Sequence, residues 1–116
     1  MNFVSAEQVA QIRPSGTTAV SAFTALLRTE ITLIAVCNTT GSPANMSIFH
    51  DDDGSTFDQT TALHYAQAVA ANTTTYIKPE SIGAGLSMNK DGQIGVQTSV
   101  SNALTFTIYG VTEVIG

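Results

Sequence analysis

The chain has one cysteine, no tryptophan and only four basic residues in 116. A lone Cys37 excludes an internal disulfide, so the fold does not depend on an oxidising compartment. Cys37 sits in an apolar stretch and reads as a small buried hydrophobe, not as a nucleophile or ligand. Arg13, Arg28, Lys78 and Lys90 are scattered, and the net charge is −5. Without a basic patch, nucleic-acid binding has no support, and an acidic surface disfavours anionic membranes. Charged residues make up 11% of the chain, against roughly 25% in a typical soluble domain. A chain dispersed alone normally carries more charge, so a surface covered within an assembly is expected. A secreted, Thr-rich β module is the other reading of the same numbers. No apolar run approaches the ~20 residues needed to cross a bilayer. Met1–Gln8 lacks the basic region and apolar core of a secretion signal. Synthesis in a cytoplasm, with later departure in a larger particle, is the expectation. There is no G-x-S-x-G, no H-E-x-x-H and no Gly-rich phosphate loop. Neither catalytic residues nor a cofactor are therefore expected.

What is present is β-prone sequence. The longest such run is Arg28–Asn38, with Ile31, Leu33, Ala35 and Cys37 on one face and Thr32, Ile34, Val36 and Asn38 on the other. Both faces carry apolar residues, which predicts a central strand covered by a second sheet and by another subunit. Thr17–Leu27 is a strand candidate anchored by Phe23 and Leu27. Asn45–His50 resumes alternation after Gly41-Ser42-Pro43, predicting a hairpin between these two strands. Ala62–Gln67 is read as a strand, Ala68–Asn72 as a turn, and Thr73–Lys78 as a strand ending at Pro79. Ile82–Met88 reads as irregular or bulged. Asn89–Gly92 contains an Asp-Gly that favours a hairpin. Gln93–Val100 places Ile94, Val96 and Val100 on one face, and Leu104–Val111 places Leu104, Phe106 and Ile108 inward. Gly110 marks close packing or a bulge. About eight short strands separated by Gly, Asn, Asp and Pro turns predict an all-β antiparallel sandwich, jelly-roll-like; a barrel is the alternative. Residues 1–15 read as an N-terminal arm and 16–116 as the sandwich domain. A short helical turn over Ala6–Gln11 would precede the break at Arg13–Gly16. Phe3, Val4, Val9 and Ile12 are the arm's apolar residues and its candidate docking contacts.

The most polar stretch is Asp51–Asp58. Asp51, Asp53 and Ser55 match positions 1, 3 and 5 of a calcium loop, and Phe57 would offer its carbonyl at position 7. The match fails at position 12, which is Ala62, and the glycine is Gly54 and not the sixth residue. Asp51, Asp53, Ser55 and Asp58 therefore form either an ion-binding loop or a displayed, solvated hairpin loop. His50 and His64 are expected at strand ends or interfaces, where assembly would become pH-sensitive. Asn38-Thr-Thr, Asn45-Met-Ser and Asn72-Thr-Thr fit the glycosylation pattern but read as chance matches in a chain rich in Thr and Ser.

Four motifs occur in order: Ile34-Ala-Val-Cys-Asn-Thr39, the Asp51–Phe57 loop, Ala71-Asn-Thr-Thr74 and Leu104–Val111. Together they resemble a family of small β-sandwich virion proteins of tailed bacteriophages, over the chain from about Arg28 onward. The resemblance implies a structural virion role as a capsid decoration or cement protein, with a tail or fibre component as the alternative. It implies no catalytic residues. The partners expected are other copies of the chain, as a homotrimer, and a major capsid protein or other virion protein. A host-surface or carbohydrate-binding module on the virion is a further alternative. It is weakened by the absence of Trp and by having only Tyr65, Tyr76 and Tyr109.

Overall fold

Alternating apolar residues and frequent turn formers resolve into nine strands in the computed structural model, which describes residues 6–78 and 85–113. They are β1 (Glu7–Ile12), β2 (Val20–Thr24), β3 (Thr29–Asn38), β4 (Ala44–Asp51), β5 (Ala62–Val69), β6 (Thr74–Ile77), β7 (Leu86–Met88), β8 (Gln93–Thr98) and β9 (Leu104–Thr112). One antiparallel sheet has the order β1-β9-β3-β6, and the other β2-β8-β4-β5. β7 continues along the same edge of β3 as β6, since Ile77 lies opposite Ile34 and Leu86 opposite Ile31. The two sheets pack as a sandwich, and the chain changes sheet at nearly every connection. This is the jelly-roll arrangement. The expected all-β antiparallel sandwich is present, with β1 not anticipated as a strand and the short β7 falling in the stretch read as irregular or bulged.

Two expected hairpins are absent. β3 and β4 lie in different sheets, so Gly41-Ser42-Pro43 carries the chain across the sandwich. β7 and β8 likewise lie in different sheets, on either side of Asn89–Gly92. Turn residues specify a chain reversal; they do not specify whether the returning strand pairs with its predecessor or crosses to the opposite layer. At the β3–β4 crossing the buried Asn38 side chain settles the matter. Its Nδ2 donates to the carbonyls of Ser42 (2.9 Å) and Val69 (3.0 Å), and its Oδ1 accepts from the Thr40 N–H (2.9 Å) and hydroxyl (2.8 Å).

The connections gather at the two ends of the sandwich and are hydrogen-bonded to one another there. At one end Asn102 N–H donates to Pro14 O, Asn72 N–H to Thr40 O and Thr39 N–H to Ala103 O. At the other, Ala25 and Gly92 are joined, as are Asp91 and Ala25, and Glu113 and Arg28.

The core forms between the sheets from Ile31, Ile34, Val36, Phe106 and Ile108 on one side and Met46, Ile48, Ile94 and Val96 on the other. Each such side chain contributes roughly 1.5–3 kcal/mol through burial. The β3 faces differ from the simple alternation expected. A bulge between Ile31 and Leu33 shifts the phase, so Ile31 joins Ile34, Val36 and Asn38 on the core face. Leu33, Ala35 and Cys37 turn outward and are half-buried, which corrects the reading of Cys37 as a core residue. Gly110 lies opposite this bulge, where a Cβ would stand 2.7 Å from the Glu30 carbonyl. Val100, expected inward, lies beyond β8 and is exposed.

Residues 6–11 are not helical: β1 pairs along β9, with Glu7 opposite Gly110 and Ile12 opposite Phe106. The boundary expected after residue 15 thus falls between β1 and β2 of one sandwich. Val9 and Ile12 are partly buried against the chain's own core. Phe3 and Val4 lie outside the described residues.

Candidate functional site

Among the described residues β4 and β5 are the one sequential pair that forms a hairpin, and the acidic loop joins them. Its carboxylates shape the loop itself. Asp51 accepts from the backbone N–H of Thr56 (2.8 Å) and of Asp53 (3.3 Å). Those donors hold the Asp51 carboxyl below its ordinary range. Asp53, beside the Asp51 carboxylate, is raised in turn, by sharing a hydrogen bond with a neighbour of like charge. Asp58 accepts from the Thr60 N–H at 2.8 Å and from its hydroxyl, which lowers it.

Asp52 points the other way. It accepts from His50 Nε2 at 3.1 Å and from the Asn89 N–H at 3.0 Å and side-chain amide, tying the hairpin loop to the β7–β8 connection. Burial pushes the Asp52 carboxyl up, but the Asn89 and His50 donors outweigh it and the net shift is downward. Of the candidate ion-binding residues, the fold brings Asp51 and Asp53 together, engages Asp58 with Thr60, and leaves Ser55 exposed. Among the described residues no three His, Cys, Asp or Glu side chains form a group that could hold a metal ion. His64 Nδ1 lies 2.9 Å from Gln67 Oε1 on the edge strand β5.

Phe57 gives the loop a second function that its acidic composition conceals. The loop folds back over the outer face of the β2-β8-β4-β5 sheet and packs Phe57 near Phe49, with ring centroids 6.2 Å apart. Tyr65 of β5 meets the same Phe49 edge-on at 6.4 Å. Phe49 is buried but stands outside the main core, so this is a small separate cluster. It lies directly on Gly95, where any Cβ would collide with the Phe57 ring. The sequence held one signal for it, an aromatic residue in a polar loop, and an alternation-based reading passes over such a residue.

Among the described residues the sandwich is open along both lateral edges, and an apolar groove runs along each. One lies between β1 and β2, lined by Val9, Ala22, Phe23 and Leu26, with Leu26 78% exposed. The other lies between β5 and β6, lined by Ile34, Ile48, Leu63, Tyr76 and Ile77, with Tyr76 59% exposed.

No protein-family model matches the chain, and no curated protein matches it. Among solved structures, it is similar to a chain in the crystal structure of the T13 IBDV viral particle, with a TM-score of 0.52 and 13% identity. That likeness covers 96% of this chain and 31% of the other, so the present chain spans about a third of its length. A chain in the structure of the infectious bursal disease virus Gx strain aligns over 95% of this chain and 40% of its own, with a TM-score of 0.40 and 14% identity. The second value is too low to add to the first, and at such identity the likeness is one of fold.

Proposed function

We propose that this chain is a non-enzymatic structural protein of a virus particle. The observation that carries the proposal is the jelly roll itself, which over nearly its whole length superposes on about a third of a chain in a viral particle. The low charge, the four phage-like motifs and the apolar grooves at both open edges support the same reading. More narrowly, the chain acts as a decoration or cement protein on the head of a tailed bacteriophage. It binds as a homotrimer at capsomer junctions and adds buried area where the shell is strained from within. Its mechanism is non-covalent packing of apolar and Thr-rich surfaces between copies and against a capsid protein.

The segment before β1, with Phe3 and Val4, is the proposed docking element. Val9 and Ile12 belong to the sheet and support it from within. The test is co-sedimentation of purified full-length chain with particles stripped of it, compared with a variant lacking residues 1–5. Saturable binding that the truncation weakens supports the reading. Undiminished binding removes the docking role, and no binding by either removes the decoration role.

A further inference from the structure

Two adjoining concavities lie on the outer face of the β2-β8-β4-β5 sheet, of about 450 and 190 Å³. Tyr65 and Gln97 line both, so Tyr65 stands as the wall between them. The larger is completed by Phe49, Phe57, Asp58, Gln59 and Thr60. The smaller is completed by Thr17, Asn45, Ser47, Ala66, Thr98 and Ser99.

The backbone beneath Tyr65 departs from regular strand to hold it there. Met46 pairs with Gln67 and Ile48 with His64, so Tyr65 and Ala66 both oppose the single residue Ser47 in a β-bulge. Ala66 adopts a left-handed φ of 52°, which costs a non-glycine residue about 1–2 kcal/mol. Its N–H is held by Ser47 Oγ at 2.9 Å. Strain of this kind persists where surrounding contacts enforce it, and it concentrates at binding sites. Its effect here is to aim a half-exposed tyrosine, braced edge-on by Phe49, between two polar hollows.

The chemistry of the lining selects among ligands. It combines an aromatic side chain with planar amides (Gln59, Gln97, Asn45), hydroxyls (Thr60, Ser99) and one carboxylate (Asp58). Gln97 is fixed by donating through Nε2 to the Thr17 carbonyl at 2.9 Å. No Lys, Arg or His is among the residues lining either hollow, so an anionic ligand would meet Asp58 with no counter-charge. A sugar ring needs an apolar surface for its C–H face and donors and acceptors for its equatorial hydroxyls, and this lining offers both.

We propose that this face binds a neutral oligosaccharide of at least two rings, one ring on each side of Tyr65. The inference does not depend on a virion location. It also revises the weight given to the scarcity of aromatics, because the single β4–β5 hairpin gathers three of them, with buried Phe49 and half-buried Phe57 beside the exposed Tyr65.

The test is amide chemical-shift titration of the full chain with methyl glycosides of glucose, galactose, mannose and N-acetylglucosamine and with the corresponding trisaccharides. Sialyllactose serves as the anionic control. At least one neutral trisaccharide is expected to shift Gln59, Tyr65, Ala66 and Gln97 and to bind more tightly than its monosaccharide. Tyr65→Ala should weaken it about tenfold, the scale of one aromatic contact. Tyr65→Phe should retain binding, Gln97→Ala should weaken it without touching the aromatic packing, and Tyr76→Ala in the opposite groove should change nothing. The inference is overturned if no neutral saccharide shifts these amides at millimolar concentration. It is equally overturned if a dispersed, folded Tyr65→Ala or Gln97→Ala protein binds as wild type does, or if sialyllactose binds best.

Discussion

Asn38 provides the sharpest test of how this chain selects a jelly roll over a meander of hairpins. It is wholly buried, and its amide is used on both sides, donating to Ser42 and Val69 and accepting twice from Thr40. Asn38→Ala removes four hydrogen bonds and leaves the Val69 carbonyl without its Asn38 donor in a dry site. At a net value near 1 kcal/mol for each bond, partly recovered by water at the exposed Thr40–Ser42 side, the expected loss is about 3 kcal/mol. For 116 residues, an unfolding entropy of about 2.1 cal/mol/K per residue makes that a fall of about 12 °C in Tm. Asn38→Asp keeps the shape but turns a carboxylate oxygen toward two carbonyls. Its folded pKa must rise above the unfolded value, so the charged form penalises the fold at neutral pH and the penalty shrinks as pH falls toward about 4. Thermal and urea unfolding of wild type, Asn38→Ala and Asn38→Asp at pH 7 and pH 4.5 is the assay. Asn38→Asp should be the least stable at pH 7 and should gain on Asn38→Ala in acid. A loss below about 0.5 kcal/mol for Asn38→Ala, within the range of an ordinary surface substitution, would refute the reasoning, as would an Asn38→Asp deficit indifferent to pH.

Three further outcomes follow from the same contacts. Gly95→Ala drives a Cβ into the Phe57 ring and should cost about 1–3 kcal/mol; Phe57→Ala in the same chain should recover part of that loss, a non-additivity that a double-mutant cycle in urea reads directly. Asp52, held below its ordinary pKa by Asn89 and His50, contributes stability that is present above about pH 4 and fades as pH falls through the folded value; the stability gap between wild type and Asp52→Asn should therefore narrow in acid, and a gap unchanged down to pH 3 would exclude the clamp. Cys37 is half-buried on the outer face of β3, so a thiol reagent should modify the chain readily at high dilution and slowly at concentrations where the proposed trimer would form, whereas equal rates would mean that this face is not covered by another subunit.

The strands themselves were legible wherever one face is dry and the other wet. Leu104–Val111 and Gln93–Thr98 alternate in sequence, and their inward apolar residues Leu104, Phe106, Ile108, Ile94 and Val96 are buried, although Gly95 and Thr107 on the opposite faces are covered too. Pairing was not legible. A Gly-Ser-Pro or Asp-Gly turn looks the same whether the next strand returns beside its predecessor or crosses the sandwich. The difference lies in long-range partners such as Val69 for Asn38. The β3 bulge was hidden for a related reason: nothing between Ile31 and Leu33 in the sequence marks a phase shift, although Gly110, on the partner strand, recorded the close approach. β1 was missed because its core-contacting residues, Val9, Ala10 and Ile12, are few and sit among polar neighbours, and their burial depends on β9, almost a hundred residues away. The acidic loop was identified as a hairpin loop from its composition, but Phe57 within it gains meaning only when Gly95 is beneath it.

The measurement closest to the proposed virion role is the location and copy number of this chain in purified virus particles, by electron cryo-microscopy with quantitative mass spectrometry. A head decoration protein should appear in hundreds of copies, as three-fold jelly-roll density at capsomer junctions. A dozen copies or fewer would place it in the tail, and a chain missing from purified particles altogether would contradict a structural virion role.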